Sequence, residues 1–336
     1  MKDGFIKAAS ASPVIKVADT EYNAQRVIET IKAADEMGVK MLVFPELVLT
    51  GCTCYDLTGH NVVLRGAKKA LLEVIAASEG VDMLVFVGLP IAVGSRLYSC
   101  AAAIYDGELL GLVPRENVRG TQFAEPADSY VEVEIDAEHV AVLSTDYVFT
   151  CAALPDLKVA AELGADIDVL VPPSVRHAQA GVTVIAQLAS FPETVTSADE
   201  AELTLRSQSR RLHCGMIMAA PGKGESTTDN VFSGLCMIAE NGEILAASEC
   251  ENSMAVTELD VEYIVNTRRG SDDFDLDSDE YYEAVWGGEP VETELTRSYR
   301  KYPHLPANEA DMPVYCERML DIQVSGLVKR MQYAGL

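Results

Sequence analysis

Residues 41–57 read MLVFPELVLTGCTCYDL, and the fold prediction starts from this stretch. Met41–Phe44 is an apolar run that ends at Pro45, which is typical of a strand buried on both faces of a parallel sheet. Glu46 follows at once, so a carboxylate stands just past the end of a buried strand. Since α/β proteins gather functional side chains at such ends, Glu46 is a candidate functional residue. The alternative is a structural glutamate that caps a helix or a loop.

Strand-like and helix-like segments alternate on both sides of this stretch through residue 265. Short apolar runs predict buried strands, and apolar residues at i, i+3 and i+4 predict helices. Asp106-Gly107 and Asn241-Gly242 are turn signals that predict two hairpins. Helices outside mixed strands predict a layered α/β sandwich. The predicted strands are Phe5–Ser10, Met83–Gly88, Val140–Leu143, Val169–Val171 and Met216–Ala220, and the predicted helices are Thr20–Met37, Asn61–Gly80, Leu154–Leu163 and Asp199–His213.

The net charge of the chain argues against polyanionic partners. Its 336 residues carry a formal net charge of −26, and 49% of them are hydrophobic. Such an acidic surface repels phosphate backbones and anionic lipid, so we expect neither nucleic-acid nor membrane partners. The sequence has no apolar run long enough to span a bilayer and opens without a secretory-signal pattern, which predicts a cytoplasmic protein.

The cysteines and histidines predict neither a disulfide scaffold nor a metal site. Eight cysteines are few for a disulfide-stapled chain of this length. Cys100, Cys214 and Cys236 lie in apolar segments and are expected to be buried. The sequence has no His and Cys spacing of a zinc site, so we expect no metal and no cofactor.

The composition changes after Thr267. Residues 271–280 form the acidic run SDDFDLDSDE, which predicts a solvated linker. A calcium loop is the alternative, although the glycine that its bend requires is missing. The apolar stripe of Pro313–Gly335 predicts a helix that docks on its own domain or on a partner. We therefore predict a domain over residues 1–267, an acidic linker over 268–312 and a C-terminal helix over 313–336.

Several motifs together resemble one known family. They are FPEL at 44–47, TGCTCYDL at 50–57, VGLP at 87–90, YDGELLGLVP at 105–114 and FSGLCMIAENGEILA at 232–246. They resemble the glutaminase domain of glutamine-dependent NAD synthetases, which belongs to the nitrilase (carbon–nitrogen hydrolase) superfamily. The resemblance covers essentially the whole chain. It implies an α/β fold of the nitrilase-like α-β-β-α sandwich type, a single domain with an extended C-terminal segment.

The C-terminal helix also resembles that family. Residues 317–327, ERMLDIQVSGL, are similar to the helix that leads into the family's ATP-dependent synthetase domain. The SGGxDS pyrophosphate loop of that second domain is absent from the sequence. The chain is therefore expected to be either the front portion of a longer protein or a free-standing relative.

The family mechanism, which the resemblance implies, uses three side chains. A cysteine thiolate attacks the amide carbon, a glutamate moves the proton, and a lysine stabilises the oxyanion. Glu46 matches the glutamate, Arg115 of the VPR stretch matches the lysine, and Ser144 of the VLS stretch matches the cysteine. Arginine is not equivalent to lysine at a tight site, and a serine hydroxyl is a weaker nucleophile than a thiolate. The resemblance therefore implies a degenerate triad.

Neighbouring positions depart from the family pattern as well. Gln122 stands where a second acidic residue is expected, and Val182 and Ala186 stand where a lysine and an arginine would hold the α-carboxylate of glutamine. By the same resemblance, substrate binding is assigned to Gln122, Phe123 and Ser174. An engineered exchange of the nucleophile alone would not explain these further changes.

These observations favour the first of two functions for glutamine hydrolysis and leave the second as the alternative. One is a catalytically silent nitrilase-fold domain that keeps the fold and its contact surfaces. The other is an amidase that acts on a different amide through Ser144. Either could bind a small amide or a glutamine-like ligand. The resemblance also implies homo-oligomers, with Pro313–Gly335 as the candidate contact, and a synthetase domain if the chain is longer.

Overall fold

The structure is a computed structural model that describes residues 2–126, 130–249, 253–274, 281–287, 290–299, 301–306 and 308–336. Two compact units divide the chain, Met1–Leu295 and Thr296–Leu336. Residues 275–280 of the predicted acidic run lie outside the described residues. The calcium alternative for that run therefore stays a prediction.

Strands and helices alternate along the described part of the first unit. The strands are β1 (Phe5–Ser12), β2 (Met41–Val43), β3 (Leu84–Val93), β4 (Arg96–Tyr105), β5 (Glu108–Pro114), β6 (Val131–Glu134), β7 (Val140–Leu143), β8 (Tyr147–Cys151), β9 (Leu154–Leu163), β10 (Val184–Leu188), β11 (Gly215–Ala219), β12 (Cys236–Glu240), β13 (Glu243–Ser248), β14 (Ser253–Asp260) and β15 (Tyr282–Trp286). The helices are α1 (Thr20–Glu36), α2 (Asn61–Ala77), α3 (Pro173–Gln179), α4 (Ser197–Leu212) and α5 (Val261–Arg268), while α6 (Met312–Ala334) lies in the second unit.

The described strands form two mixed sheets. Their orders are β14-β1-β2-β3-β4-β5-β7-β6 and β13-β12-β11-β10-β9-β8-β15. β2 pairs in parallel with β1 and β3, and β10 pairs in parallel with β9 and β11. The predicted hairpins around Asp106-Gly107 and Asn241-Gly242 are confirmed as the β4–β5 and β12–β13 pairs. β2 and β9 are therefore interior strands, one in each sheet.

Three hydrophobic clusters define the layers. One lies between the sheets, where the rings of Phe86 and Phe149 meet edge to face with centroids 5.4 Å apart. Full burial of such a side chain contributes about 2–3 kcal/mol. A second cluster joins the first sheet to α1 and α2, and the third joins the second sheet to α3 and α4. The predicted α-β-β-α sandwich is confirmed.

Helix α1 shows why the sequence pattern predicted much of this fold. Asp19 is the N-cap and accepts a hydrogen bond from Tyr22 N, while Val27 and Ile31 are buried against the first sheet. Gly38 has a φ of 73° just past the helix end, a conformation that favours glycine. Cap, apolar face and terminator all agree, and the predicted helix is confirmed.

The prediction of a helix over Leu154–Leu163 is wrong, because this segment is strand β9. Its alanine, leucine and glutamate residues favour helices. In the structure, however, β9 pairs on one edge with β8 and on the other with β10, so tertiary pairing outweighs local propensity. The predicted buried strand at Val169–Val171 is wrong too, since Leu170 is 97% exposed and Val171 is 68% exposed.

Part of the predicted linker belongs to the first unit. Strand β15 pairs in parallel with β8, and this unit extends to Leu295 rather than ending at Thr267. Trp286 of β15 is buried, and its indole Nε1 donates a hydrogen bond to Phe149 O at 3.3 Å. The C-terminal helix predicted over Pro313–Gly335 corresponds to α6. Among the described residues, no helix combines the length and the apolar character that a membrane span requires.

Candidate functional site

Glu46 lies in the turn that follows β2, directly after the proline that ends the apolar run. Its backbone N donates a hydrogen bond to Ala189 O at 3.1 Å, which ties the turn to the segment after β10 in the other sheet. The residue is 1% exposed, and its Oε1 accepts a hydrogen bond from Ser99 Oγ at 2.6 Å. The carboxylate predicted at a strand end is thus held between the two sheets.

Arg115 follows β5 and is the cation beside this carboxylate. Its Nη1 lies 3.2 Å from Glu46 Oε2 and 3.3 Å from Glu46 Oε1, while its Nε donates to Asn117 O at 2.8 Å. Arg115 is only 9% exposed, so the ion pair is largely shielded from solvent. Such a pair is costly to break, because either partner alone would be an unpaired buried charge.

Gly164, at the end of β9, completes the site. Its φ is +54°, in the left-handed region that favours glycine. A Cβ added there would lie 2.5 Å from Glu46 Oε2 and 2.5 Å from Arg115 Nη1. Its carbonyl oxygen accepts a hydrogen bond from Gln187 Nε2 at 3.0 Å, which holds the peptide in place. A side chain at position 164 would therefore face the ion pair, but glycine supplies none.

The structure does not bring Ser144 to this pair. Ser144 follows β7, where its N donates to Leu112 O and its Oγ accepts a hydrogen bond from Asp146 N at 3.2 Å. Ser144 does not line the cavity that opens over Glu46 and Arg115. Gly164, and not Ser144, therefore lies against the ion pair and lines the cavity.

A cavity of about 750 Å³ opens over the ion pair. Gln122 and Phe123, which the sequence assigned to substrate binding, line it, and Gln122 Nε2 donates to Tyr55 O at 2.6 Å. Ser174 does not line the cavity, because it is buried in α3, where its N donates to Glu162 Oε1. Two of the three predicted binding residues are therefore beside the site.

The sequence analysis assigned no role to several lining residues: some lie in the motif stretches 50–57 and 232–246, which carried only the family resemblance, and the others lie outside any motif. Asp168 is one of them, and burial raises its pKa while the neighbouring Arg115 lowers it. Among the described residues, no group of three or more His, Cys, Asp or Glu side chains could hold a metal ion. The cavity residues missed by the sequence analysis include Cys52, Tyr55, Asp56, Asp168, Phe191, Asn230 and Phe232.

Cys52 is the thiol of this cavity. Burial raises its pKa far above the ordinary value, and the nearby carboxylates of Glu225 and Glu46 raise the pKa further. The thiolate is the nucleophilic form of cysteine, and this environment disfavours it at Cys52.

Glu162 of β9 is a buried carboxylic acid close to this site. Burial raises its pKa to about 7, and its Oε2 has no hydrogen-bond partner among the described residues. A carboxyl whose pKa is raised on folding binds its proton in the folded state between the unfolded pKa and the folded one. Stability therefore falls as the pH rises through this interval.

We expect this group to give a measurable pH dependence of stability. Between pH 4.5 and about 7, Glu162 adds a slope of up to about −1.4 kcal/mol of unfolding free energy per pH unit. Urea unfolding across this range checks it, with Glu162→Gln expected to flatten the slope, since the amide keeps the shape without titrating. Asp166, whose burial raises its pKa to about 6, contributes in the same direction and remains in that variant. An identical slope in both proteins would contradict the assignment.

Comparison with known proteins shows the family of this chain. The carbon-nitrogen hydrolase family profile matches residues 7–269. The chain belongs to this family. Two similar proteins are the glutamine-dependent NAD(+) synthetases of Mycobacterium tuberculosis and Mycobacterium leprae, each 30% identical over 348 residues. These matches cover 98% of this chain and 51% of each relative, so the chain spans about half the length of these relatives.

Solved structures share the fold of this chain. A glutamine-dependent NAD(+) synthetase from Cytophaga hutchinsonii has a TM-score of 0.67 at 18% identity, over 76% of this chain and 43% of that one. A nitrilase-superfamily amidase from Nesterenkonia has a TM-score of 0.60 at 15% identity, over 79% of this chain and 94% of that one. In another structure of that amidase, the acetamide moiety of fluoroacetamide is bound covalently to the active-site cysteine.

Proposed function

We propose that this chain is a nitrilase-fold domain without amide-hydrolase activity, related to the glutaminase part of glutamine-dependent NAD synthetases. The observation that carries the proposal is Gly164, because the position that faces the Glu46–Arg115 pair bears no nucleophile. The covalent cysteine adduct in the Nesterenkonia amidase supports it, since displacement of fluoride from fluoroacetamide there requires a side-chain nucleophile.

The ion pair itself also opposes catalysis. A general base needs an oxygen within reach of the proton that it takes. Both carboxylate oxygens of Glu46 instead accept hydrogen bonds from Arg115, and the guanidinium Nη1 lies 2.5 Å from where a Cβ at position 164 would be. In this proposal the pair has a structural role and joins two segments of the first sheet's edge, those that follow β2 and β5.

Neither of two other nucleophiles replaces the missing one in this proposal. Cys52 lines the cavity, but its environment disfavours the thiolate. Ser144 lies outside the cavity lining, and no base contacts its hydroxyl among the described residues. The alternative of an amidase that acts through Ser144 therefore has weaker support than the silent domain.

The relatives suggest a setting for such a domain. They are glutamine-dependent NAD(+) synthetases of about twice the matched length. Beside a synthetase domain, this chain would supply a folded module and contact surfaces, and ammonia would have to come from another source. Homo-oligomer contacts through Pro313–Gly335 belong to the same proposal.

We expect no ammonia release above background from the purified chain with glutamine, asparagine, acetamide or propionamide. The reason is the absent nucleophile at Gly164. A glutamate-dehydrogenase-coupled assay measures the product, with an active amidase as the positive control. Turnover that persists through purification and disappears in Glu46→Gln would refute the silent domain.

A double variant tests which position belongs to the nucleophile. Gly164→Cys alone is expected to stay unreactive, because its Cβ would meet the Arg115 guanidinium. Combined with Arg115→Lys, which replaces the planar fork by a smaller head group, the thiol is expected to form a covalent adduct with fluoroacetamide. Peptide mass spectrometry locates the adduct. The matched control is Ser144→Cys with Arg115→Lys, and an adduct at position 144 but not at 164 would show that the sequence-based assignment was right.

A further inference from the structure

The cavity has an excess of negative charge. Its lining contains three carboxylates, those of Glu46, Asp56 and Asp168. Among the described residues that line it, Arg115 is the one basic side chain. Arg115 is paired with Glu46 at 3.2 Å and also lies near Asp168, so this single cation leaves the three carboxylates of the lining in excess.

A further carboxylate lies directly behind the cavity wall. Glu225 is buried and accepts hydrogen bonds from Cys52 N at 2.8 Å and from Thr53 N at 3.0 Å, as well as from the Thr53 hydroxyl. These donors are neutral, so they stabilise the charge without cancelling it. Cys52 and Thr53 themselves line the cavity, so the Glu225 carboxylate is hydrogen-bonded to residues of the cavity wall.

The other lining residues suit the apolar part of a ligand. Four of them are aromatic: Tyr55, Phe123, Phe191 and Phe232. Aromatic rings attract cations through their negative faces, and the attraction is stronger where water is excluded. A negative potential also raises the local concentration of cations and repels anions.

We propose that this cavity binds a small organic amine in its cationic form, with Asp56 and Asp168 facing the ammonium group and the aromatic side chains around its carbon skeleton. A free carboxylate on the ligand is disfavoured by the same charges. The inference rests on the proposed function, because it assigns to the non-hydrolytic site a ligand that is bound and released unchanged.

Three ligands of one size and different charge test this proposal. They are 2-phenylethylammonium, 2-phenylethanol and phenylacetate, titrated into the full chain by isothermal calorimetry at low salt. We expect the cation to bind at least about tenfold more tightly than the alcohol, and phenylacetate to bind more weakly than either. Equal affinities, a preference for phenylacetate, or no binding of the cation at millimolar concentration would overturn the proposal.

Variants locate the binding. Asp168→Asn is expected to weaken binding of the cation by about fivefold to tenfold, since it removes one charge from the lining. The affinity for the alcohol is expected to stay unchanged. Asp199→Asn is the matched control, because Asp199 is exposed in the first turn of α4 and does not line the cavity. Equal weakening in both variants would show a general effect of net charge and would overturn the assignment to the cavity.

The two proposals fail separately. Ammonia release from an amide, lost in Glu46→Gln, refutes the silent domain whatever the amine affinity. Absent amine binding together with absent ammonia release overturns the ligand assignment alone. The coupled assay and the calorimetric titration on the same preparation therefore decide each proposal independently.

Discussion

The Glu46→Ala variant is expected to lose about 3–5 kcal/mol of unfolding free energy, because it leaves Arg115 buried without its partner. Arg115 is 9% exposed. Among the described residues, its guanidinium donates only one hydrogen bond besides those to Glu46, from Nε to Asn117 O. For a chain of this size the melting temperature should fall by about 4–7 °C. Urea and thermal unfolding of the two proteins measure the effect.

Two comparisons give this prediction its control. Glu29→Ala removes the partner of Arg26 in an exposed ion pair on α1 and should change stability by less than about 1 kcal/mol. Adding Arg115→Met to Glu46→Ala removes the unpaired charge and should recover much of the loss. The prediction is contradicted by a stability loss in Glu29→Ala as large as that in Glu46→Ala, or by no recovery of stability in the double variant. Either result would show that the buried pair contributes no more to stability than an exposed one.

Gly88→Ala is expected to cost about 3 kcal/mol or more, because strand β3 passes directly against the turn that carries Glu46. A Cβ at position 88 would lie 2.5 Å from Pro45 O and closer still to Leu47 N. Both neighbours are backbone atoms of a turn in which Leu47 has a φ of 57°, so the turn has little freedom to yield. Equilibrium unfolding in urea measures the loss.

Gly59→Ala is the matched control for this substitution. A Cβ at position 59 meets no heavy atom within 4 Å, and Gly59 is not among the residues with positive φ. Its effect should stay within about 0.5 kcal/mol. Similar losses in the two variants would mean that the close approach at Gly88 is relieved by movement of the turn.

The sequence was sufficient wherever local pattern and tertiary environment agree. Helix α1 has an N-cap, an apolar face and a terminating glycine, and the hairpins have their Asp-Gly and Asn-Gly turns. The run before Pro45 is apolar on both faces because β2 is an interior strand. These local signals, with the motifs that resemble the nitrilase superfamily, predicted the sandwich and the places of Glu46 and Arg115.

Strand β9 is where local pattern and environment disagree. Its residues favour a helix, and only pairing with β8 and β10 makes them a strand. Without that strand, the sequence could not show that Gly164 follows a strand and lies beside the ion pair. The loops that contribute Asp168, Phe191 and Phe232 to the cavity are also far apart along the chain.

The sequence by itself thus determined the family, the layers and two charged members of the site, because each of these has a local pattern. Only the tertiary structure decided that Glu46 and Arg115 form a buried pair and that Gly164 faces it. The physical reason is that glycine has no side chain, so it adds no apolar or charged signal to a sequence pattern. Its role appears only in the folded chain, where the end of β9 places Gly164 against the charged side chains of Glu46 and Arg115.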